Sequence, residues 1–554
     1  MKNLKRLLTA PLIGSLLIAQ GMLDRSAMAQ PTQPPLATKA ISKLDDQKEW
    51  LDHFENNILR FWVTPEALGV EAKQAKTTGN FPTWRCNDGS IFNDRTNACR
   101  EIVNAPLWVT NHRHLDYLRM KSRQTYLYGV AFNITGQDKY LEWMRAGINF
   151  IVSKGLIDHG KGGAYTFWKN GSADDLGLAR NSQDLSYVML SMTYYYYLTG
   201  DSSILVPIKN LKDYIFKTYT DKSHSSSKQT CLKWTASAPP AGEAPPYNTD
   251  ESHKLELVSQ LDQANAYLLL GSVVLPEPMR QEWRNDLRAL VHCMRNDYLD
   301  QTTGLFWGAI DLPRQRQIGG HKHNDFGHTV KTYWTMYLAA RILGDQELKT
   351  FARNGGLKIL NWAYDPKDGA WNSRPLPRPG FKTCTMTGST ACPIDTNRDW
   401  WIYAELDQGA ATLTLEKVDP KRNWLGDELP RTQAYWRQNF FDKTYGDVWH
   451  RITVGSVCDP NLRNEEDSCL PKVHFYKNGF HVPEHVLVGY LTGSAYKGKP
   501  VSLFFATPSC AKLRPYTPYN LTGQAHVDSC NAFAEQPLTS SGLMKVKVTF
   551  SGIH

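Results

Sequence analysis

The sequence has little of three features that mark common protein classes. Charged residues make up only 21% of its 554 residues and no dense run of Lys or Arg occurs, so the net charge of +9 does not indicate a nucleic-acid partner. Beyond the N-terminus, no uncharged apolar stretch is long enough to span a membrane. No two cysteines have the C-x-x-C spacing of common zinc sites. The 41% hydrophobic and 11% aromatic residues are typical of a large globular protein and exclude a disordered chain.

The N-terminal segment has the pattern of a secretory signal. Basic residues (Lys2, Lys5, Arg6) precede a mostly apolar stretch over residues 7–23. Ala27 and Ala29 then supply the small residues that a signal peptidase reads. We predict a signal peptide over residues 1–29, a flexible leader over residues 30–44 and a secreted or periplasmic mature protein. The alternative is an uncleaved membrane anchor, which the shortness of the apolar stretch disfavours.

The cysteines agree with export. Eight of the 10 cysteines are paired closely along the chain, and two are left over: Cys86/Cys99, Cys384/Cys392, Cys458/Cys469 and Cys510/Cys530, with Cys231 and Cys293 remaining. An even number of cysteines in an exported protein favours disulfide bonds, and close pairs favour stapled loops. A zinc site is the alternative, and the sequence alone leaves the connectivity open.

Two short patterns recur at multiples of about 70 residues, which indicates a repeat architecture. The first is a glycine beside an acidic or amide residue, which predicts the end of a helix; it occurs at Gly136, Gly200, Gly344 and Gly426. The second is an aspartate followed by a glycine and an aromatic residue, which predicts a hairpin turn; it occurs at Asp300, Asp365 and Asp442, with a looser copy at Asp158.

Between these turns the sequence predicts helices of two kinds. Residues 185–198, 261–275 and 329–343 are apolar or aromatic nearly all round, which predicts inner helices. Residues 140–153, 279–298 and 346–364 alternate apolar and charged positions at helical spacing, which predicts outer helices. We therefore predict an all-α (α/α)6 barrel over residues 45–492, with its loops converging on one funnel. An open helical solenoid is the alternative, which the fully apolar helices disfavour.

The composition changes near the C-terminus. Short β-prone stretches at residues 501–506, 516–519 and 545–550 are interrupted by Pro, Thr and Ser. They predict a β-rich C-terminal extension over residues 493–554, held by Cys510 and Cys530.

Histidines are densest over residues 319–328. His321, His323 and His328, with Asp325, are a candidate metal site, but their spacing matches no fixed zinc signature and a solvated polar loop is the alternative. The sharper interpretation concerns His328, which lies at the start of the predicted helix 329–343. A helix N-terminus lowers the pKa of a nearby imidazole, which suits a general base.

A second histidine has an equivalent position. His481 precedes a predicted inner helix over residues 484–492, so that His328 and His481 are expected to face one pocket. Arg123 is a candidate for binding an oxyanion. Trp400, Trp401 and Glu405 offer ring faces and a carboxylate to a sugar. Core packing or helix capping is the alternative for each of these residues.

Four segments, taken in order, resemble the N-acylglucosamine 2-epimerase family, with its sugar-isomerase and cellobiose-epimerase members. They are Ser122-Arg123-Gln124-Thr125-Tyr126-Leu127-Tyr128, Phe326-Gly327-His328-Thr329-Val330-Lys331, Trp400-Trp401-Ile402-Tyr403-Ala404-Glu405 and Phe480-His481-Val482-Pro483. The resemblance covers residues 45–492 and implies an (α/α)6 barrel, in agreement with the repeat pattern.

The resemblance also implies a reaction. A proton moves at sugar C2 through an enediolate, with no metal or other cofactor. His328 and His481 would remove and return the proton, and Arg123 would stabilise the enediolate oxygen. The expected substrate is a mono- or oligosaccharide, bound by Trp400, Trp401, Glu405, Tyr128, Asp184 and Lys331.

The chain departs from the family pattern at charged positions. Lys331 stands where the family motif has Glu, and Gln260 and Gln263 stand at the polar positions of a His-x-x-Glu-Ala segment. Two other functions therefore stay open. One is a glycoside hydrolase or lyase with carboxylates such as Asp184, Glu405 or Asp325. The other is a non-catalytic carbohydrate-binding protein. The oligomeric state, including a homodimer, is open as well.

Overall fold

The structure is a computed structural model that describes residues 43–70, 76–157, 162–173, 180–221, 231–235, 255–378, 384–416, 428–453, 470–534, 538 and 541–554. Several predicted features lie outside these residues. They are the signal peptide, nearly all of the leader, the turns at Asp158 and Gly426, and the Cys458/Cys469 pair.

Helices make up most of the regular structure. In chain order they are α1 (Gln47–His53), α2 (Arg100–Val103), α3 (Leu107–Thr110), α4 (Leu118–Thr135), α5 (Asp138–Phe150), α6 (Ser182–Thr199), α7 (Leu205–Tyr219), α8 (Val258–Gln263), α9 (Leu269–Val274), α10 (Met279–Cys293), α11 (Phe326–Leu343), α12 (Gln346–Ala363), α13 (Trp400–Thr414), α14 (Leu429–Asn439) and α15 (His481–Tyr496). A π-helical turn, Ala264–Leu268, joins α8 to α9. Similar turns extend α1, α5 and α10.

Six helical units are buried along nearly their whole length, and we call them the buried helices: α4, α6, α8 with α9, α11, α13 and α15. Each contacts the next along the chain, and α15 contacts α4, so that the contacts form a closed circuit. The remaining long helices keep one exposed face and pack outside this circuit: α1 on α15, α5 on α4, α7 on α6, α10 on α9, α12 on α11 and α14 on α13. The predicted division into fully apolar and amphipathic helices is observed in this packing.

The predicted turns are observed where the structure describes them. Gly136, Gly200 and Gly344 end α4, α6 and α11 in the left-handed conformation, with φ of 68°, 64° and 69°. Glycine adopts this conformation without the steric penalty of a Cβ atom. In the second pattern, Asp365 accepts a bond from the backbone of Lys367 and closes a hairpin between residues 364 and 371.

The strands are short except at the C-terminus. They are β1 (Leu115–Tyr117), β2 (Phe167–Lys169), β3 (Ser172–Ala173), β4 (Tyr364–Asp365), β5 (Ala370–Trp371), β6 (Arg374–Pro375), β7 (Ile394–Asp395), β8 (Arg398–Asp399), β9 (Arg451–Ile452), β10 (Val501–Thr507), β11 (Gln524–Ala532) and β12 (Met544–Ser551). The last three form an antiparallel sheet in the order β10-β12-β11, and its β10 packs on α4 and α6.

Two details of the C-terminal prediction are wrong. Residues 516–519 are not a strand, because Tyr516 and Tyr519 instead fill the space between the sheet and the buried helices, where the hydroxyl of Tyr519 donates to Glu484 over 2.9 Å. The strand β11 was not predicted, because its residues are mostly polar and exposed and so lack the apolar pattern of the other two strands.

The described cysteines form four disulfide bonds: Cys86–Cys99, Cys231–Cys293, Cys384–Cys392 and Cys510–Cys530. The two cysteines left over by the sequence pattern are therefore partners. Such bonds are typical of extracellular proteins. Among the described residues, none of the helices combines the length and the apolar character that a membrane crossing requires.

Candidate active site

A cavity of about 470 Å³ opens where the buried helices begin. Three positions near their N-termini are only partly buried, although their neighbours in the sequence are buried: Gln183 on α6, His328 on α11 and Trp401 on α13. All three line the cavity. Its volume lies within the range of small-molecule sites.

His328 is held by the residue that caps its own helix. Asp325 is the N-cap of α11, and its carboxylate accepts from the backbone N–H of His328 at 2.7 Å and contacts the ring Nδ1 at 2.6 Å. The helix thus begins at Phe326, three residues earlier than predicted, because Asp325 provides the cap. A carboxylate on Nδ1 orients the ring and leaves Nε2 available for proton transfer.

His481 has the same arrangement with a residue from another helix. It is the first residue of α15, so the prediction that the helix begins at residue 484 is wrong; the Pro483 ring is tolerated within the first turn. Its Nδ1 lies 3.0 Å from Oε1 of Glu405 on α13. Burial lowers the pKa of His481 well below its usual value, and the positive charges of Lys331 and Arg123 lower it further. The imidazole is therefore neutral at neutral pH and able to accept a proton.

Glu405 is fully buried beneath the cavity. Its Oε2 accepts from the indole N–H of Trp334 at 3.1 Å, and its Oε1 lies 3.7 Å from Nζ of Lys331. Burial raises the pKa of Glu405, and the neighbouring Lys331 offsets this only in part. The same oxygen, Oε1, thus lies near both His481 and Lys331.

Trp401 connects the two histidines. Its ring centroid lies 4.4 Å from that of His328 and 5.8 Å from that of His481. Trp400 lies at the next position of the cavity wall, with its ring 4.4 Å from that of His450. The two tryptophans give the cavity a continuous aromatic side, the kind of surface on which apolar faces of a ligand pack.

Lys331 and Asp262 form a buried ion pair in the cavity wall. Nζ of Lys331 lies 2.9 Å from Oδ1 of Asp262, whose other oxygen accepts from Gln183 at 2.9 Å. Burial disfavours the ammonium, but the carboxylates of Asp262 and Glu405 raise the pKa of Lys331 above its usual value. In turn, Lys331 holds the pKa of Asp262 below its usual value.

Arg123 lies on α4. Its Nη1 donates to the carbonyl of Tyr476 at 2.6 Å, and its guanidinium lies 3.8 Å from the ring centroid of Tyr187. It lines the cavity. The structure thus brings His328, His481, Arg123, Lys331, Trp400 and Trp401 to one cavity, with Glu405 directly behind.

Besides Glu405, two more of the predicted substrate contacts do not line the cavity. Tyr128 is inaccessible to solvent and donates to the carbonyl of Trp62 at 2.8 Å. Asp184 is paired with Arg119 at 2.5 Å. Neither is among the described residues that line the cavity.

The cavity also contains residues that the sequence analysis did not single out. His450 Nδ1 and His474 Nε2 lie 3.0 Å apart, and burial lowers the pKa of both. Trp108 contacts His474 with ring centroids 5.7 Å apart. His474 lies only seven residues before His481, a signal that was available in the sequence. Asp262 was not predicted as a site residue, because its contact with Lys331 depends on the packing of α8 against α11.

One group of side chains in the described part of the chain has the composition of a metal site without involving a disulfide. Glu256, His321 and His323 bring one potential ligand atom each to within 4.8 Å of one another. The ring of His323 lies 4.6 Å from that of His328, centroid to centroid.

The chain is similar in fold to known sugar epimerases and isomerases. The chain is 22% identical over 343 residues to a cellobiose 2-epimerase of Ruminococcus albus, covering 60% of this chain and 78% of the relative. A sugar epimerase structure from a ruminal bacterium superposes with a TM-score of 0.59 at 17% identity, covering 82% of this chain and 99% of that chain. A D-mannose isomerase structure gives 0.54 at 14% identity, covering 84% and 99%.

No protein-family model matches the chain. The weak sequence similarity and the strong structural similarity show that the chain has an N-acylglucosamine 2-epimerase-like fold, in agreement with the resemblance found in its motifs.

Proposed function

We propose that the protein is an exported enzyme that epimerises or isomerises a sugar at C2 through an enediolate. The observation that carries the proposal is the repeated carboxylate–imidazole pair: Asp325 holds His328, and Glu405 holds His481. Both rings contact Trp401 in one cavity. Two oriented imidazoles are what removal and return of a proton at one carbon require.

In the proposed reaction, one histidine accepts the C2 proton through Nε2, and the C2–H electron pair moves to the carbonyl to form the enediolate. Arg123 offsets the negative charge on the enediolate oxygen. The other histidine, already protonated, gives its proton to the opposite face of C2, which yields the epimer. Protonation at C1 instead yields the ketose. Protons and electrons balance without an oxidant.

Lys331 has a different role from the glutamate of the family motif. Its ammonium is engaged by Asp262, and it lies near Glu405 beneath His481. We infer that it keeps His481 neutral and adds positive charge on the side of the cavity where the enediolate forms. The positive charge at this position is compensated by Asp262, so that the two residues act as a unit.

The substrate class follows from the relatives and the cavity. The proteins of similar fold are named as cellobiose 2-epimerase and D-mannose isomerase, which indicates a mono- or disaccharide. A cavity of about 470 Å³ with two tryptophans on one side suits a ligand of that size.

Hydrolysis fits the cavity less well, because its carboxylates are engaged by positive or imidazole groups. Asp262 pairs with Lys331, Asp325 with His328 and Asp399 with Arg451. An inverting hydrolase needs one carboxylic acid and one carboxylate flanking the bond. Asp184, one of the candidates for that role, is held by Arg119.

The architecture that goes with this function is an (α/α)6 barrel over residues 45–492 with a C-terminal extension. The closed circuit of buried helices supports the barrel. The disulfide bonds support export. A homodimer stays a prediction from the sequence.

The experiment is incubation of candidate sugars, cellobiose and mannose first, with the mature protein in D2O. We expect deuterium at C2 if the epimer forms, and deuterium at C1 if the ketose forms. His328→Ala is expected to abolish product formation, whereas His526→Ala, on the exposed strand β11, serves as the matched control. New reducing ends without deuterium would establish a hydrolase, and binding without either result would establish a carbohydrate-binding protein.

A further inference from the structure

We propose that Glu256, His321 and His323 form a site for a divalent transition metal, with Zn²⁺ as the expected ion. Two imidazoles and one carboxylate are a common ligand set for zinc and related metals. The spacing of the histidines in the loop matches no zinc signature, so the sequence gives only a candidate metal site there. The third ligand comes from a distant part of the chain, just before α8, which spacing cannot reveal.

The geometry supports ligation by all three side chains. Nε2 of His321 lies 3.8 Å from Oε1 of Glu256, and Nδ1 of His323 lies 3.4 Å from Oε2. Atoms at these separations can share one metal ion, whose bonds to nitrogen and oxygen are about 2.0–2.2 Å long. The exposed fraction of the side chain is 2% for Glu256, 3% for His321 and 15% for His323. Burial favours a compensating positive charge at the carboxylate.

The backbone leaves room for the imidazoles at Gly308. A Cβ atom at this position would lie 2.5 Å from Nδ1 of His321 and 2.9 Å from Cβ of His323. Glu256 is held next to it, because residues 256 and 309 form a β-bridge. The three groups are thus placed by a bridge on one side and by the loop before α11 on the other.

The location gives the metal a connection to the cavity. Glu256 and His323 line it, and the ring of His323 contacts that of His328. Three protein ligands leave a coordination position for water or a ligand oxygen, as in catalytic zinc sites. The inference concerns metal binding and does not depend on the proposed reaction; if that reaction is correct, the ion would lie beside one of its two histidines.

The competing explanation is an ion pair between Glu256 and protonated histidines without a metal. Metal binding and a metal-free ion pair are distinguished by measuring the binding of ZnCl2 alone to tag-free, chelator-treated mature protein. We expect one zinc ion per chain by elemental analysis and calorimetry, and a rise in Tm on adding zinc, because the ion binds the folded state. CoCl2 is expected to give visible absorption bands of the bound ion.

Three variants test the assignment. Glu256→Gln, which keeps the shape of the side chain, and His323→Ala are each expected to lower zinc affinity at least about tenfold, and to remove the cobalt bands. His526→Ala is expected to bind as the parent does. Circular dichroism without metal checks that each variant is folded. Absence of stoichiometric zinc in the parent, or parental binding in both site variants, would overturn the proposal; so would loss of binding on replacing His450 and His474 instead.

Discussion

The ammonium of Lys331 lies 2.9 Å from the carboxylate of Asp262, and both side chains are buried at the base of the cavity. Neither charge is stable there without the other, because removal of one partner of a buried pair leaves an uncompensated charge. The pair links α8 to α11 beneath the two histidines. Lys331 and Asp262 therefore contribute to stability as one buried ion pair.

The first prediction concerns restoration of the family's glutamate. Lys331→Glu places a carboxylate against Asp262 and Glu405, and we expect it to lower the free energy of unfolding by about 3–5 kcal/mol and to abolish activity. Combining it with Asp262→Lys restores opposite charges and is expected to recover part of the stability. Urea denaturation of the parent, both single variants and the double variant measures the coupling. A Lys331→Glu variant as stable as the parent would contradict this assignment.

The second prediction separates the two functions of Asp325. Asp325→Asn keeps an N-cap, since asparagine caps helices as well as aspartate does, but removes the anion that holds His328. We expect Tm to change little and kcat to fall about 100-fold or more. Asp345→Asn is the matched control, because Asp345 caps α12 through the backbone N–H of Leu348 without contacting a histidine. Equal kcat in the two variants would show that the Asp325 carboxylate does not position the base.

The third prediction concerns the division of work between the histidines. If each acts on one face of C2, then His328→Asn and His481→Asn each lose epimerisation but still exchange the C2 hydrogen of one epimer with solvent. The two variants are expected to exchange opposite epimers. Proton NMR of both sugars in D2O measures this directly. Exchange of the same epimer by both variants would mean that the two rings do not serve opposite faces.

Much of the fold can be predicted from the pattern of the sequence. Which residues of a buried helix face the cavity cannot be predicted in this way. The glycine turns and the two kinds of helix can be predicted because the spacing of apolar residues and the residues that form a turn are local features of the sequence. On α4, however, apolar and polar residues are mixed on all sides, so the sequence does not tell whether Tyr128 or Arg123 faces the cavity. The structure places Arg123 there and Tyr128 in the core.

The candidate site shows the same limit. His328 and His481 are recognisable because they lie at helix starts within distinctive motifs. Their carboxylate partners differ in how far away they lie in the sequence. Asp325 lies three residues from His328, whereas Glu405 lies 76 residues from His481. Pairs such as Lys331 with Asp262 depend on how two helices pack, which no local pattern encodes.

The fourth prediction concerns the loss of stability in acid. Burial lowers the pKa of His53 from its usual 6.5 to about 3. Above pH 6.5, His53 is unprotonated in both the folded and the unfolded chain, so it does not make the stability depend on pH. Below pH 6.5, His53 binds a proton in the unfolded chain but not in the folded chain. Stability therefore falls as the pH falls, by about 2 kcal/mol at pH 5 from this residue. We expect His53→Gln to lose less stability between pH 7.5 and pH 5 than the parent, with the exposed His526→Gln unchanged from it. Identical losses in His53→Gln and the parent would contradict the assignment.

The last prediction concerns the disulfide that close spacing did not reveal. Cys231–Cys293 closes a loop with a sequence separation of 62, whereas Cys384–Cys392 closes one of 8. Because a cross-link restricts the unfolded chain more when its loop is longer, replacing the first pair by serine is expected to cost about 4 kcal/mol and the second about 2.5 kcal/mol. Urea denaturation of the two double-serine variants under non-reducing conditions measures the difference. A larger loss from the shorter loop would mean that local packing at residues 384–392, and not restriction of the unfolded chain, determines what these bonds contribute.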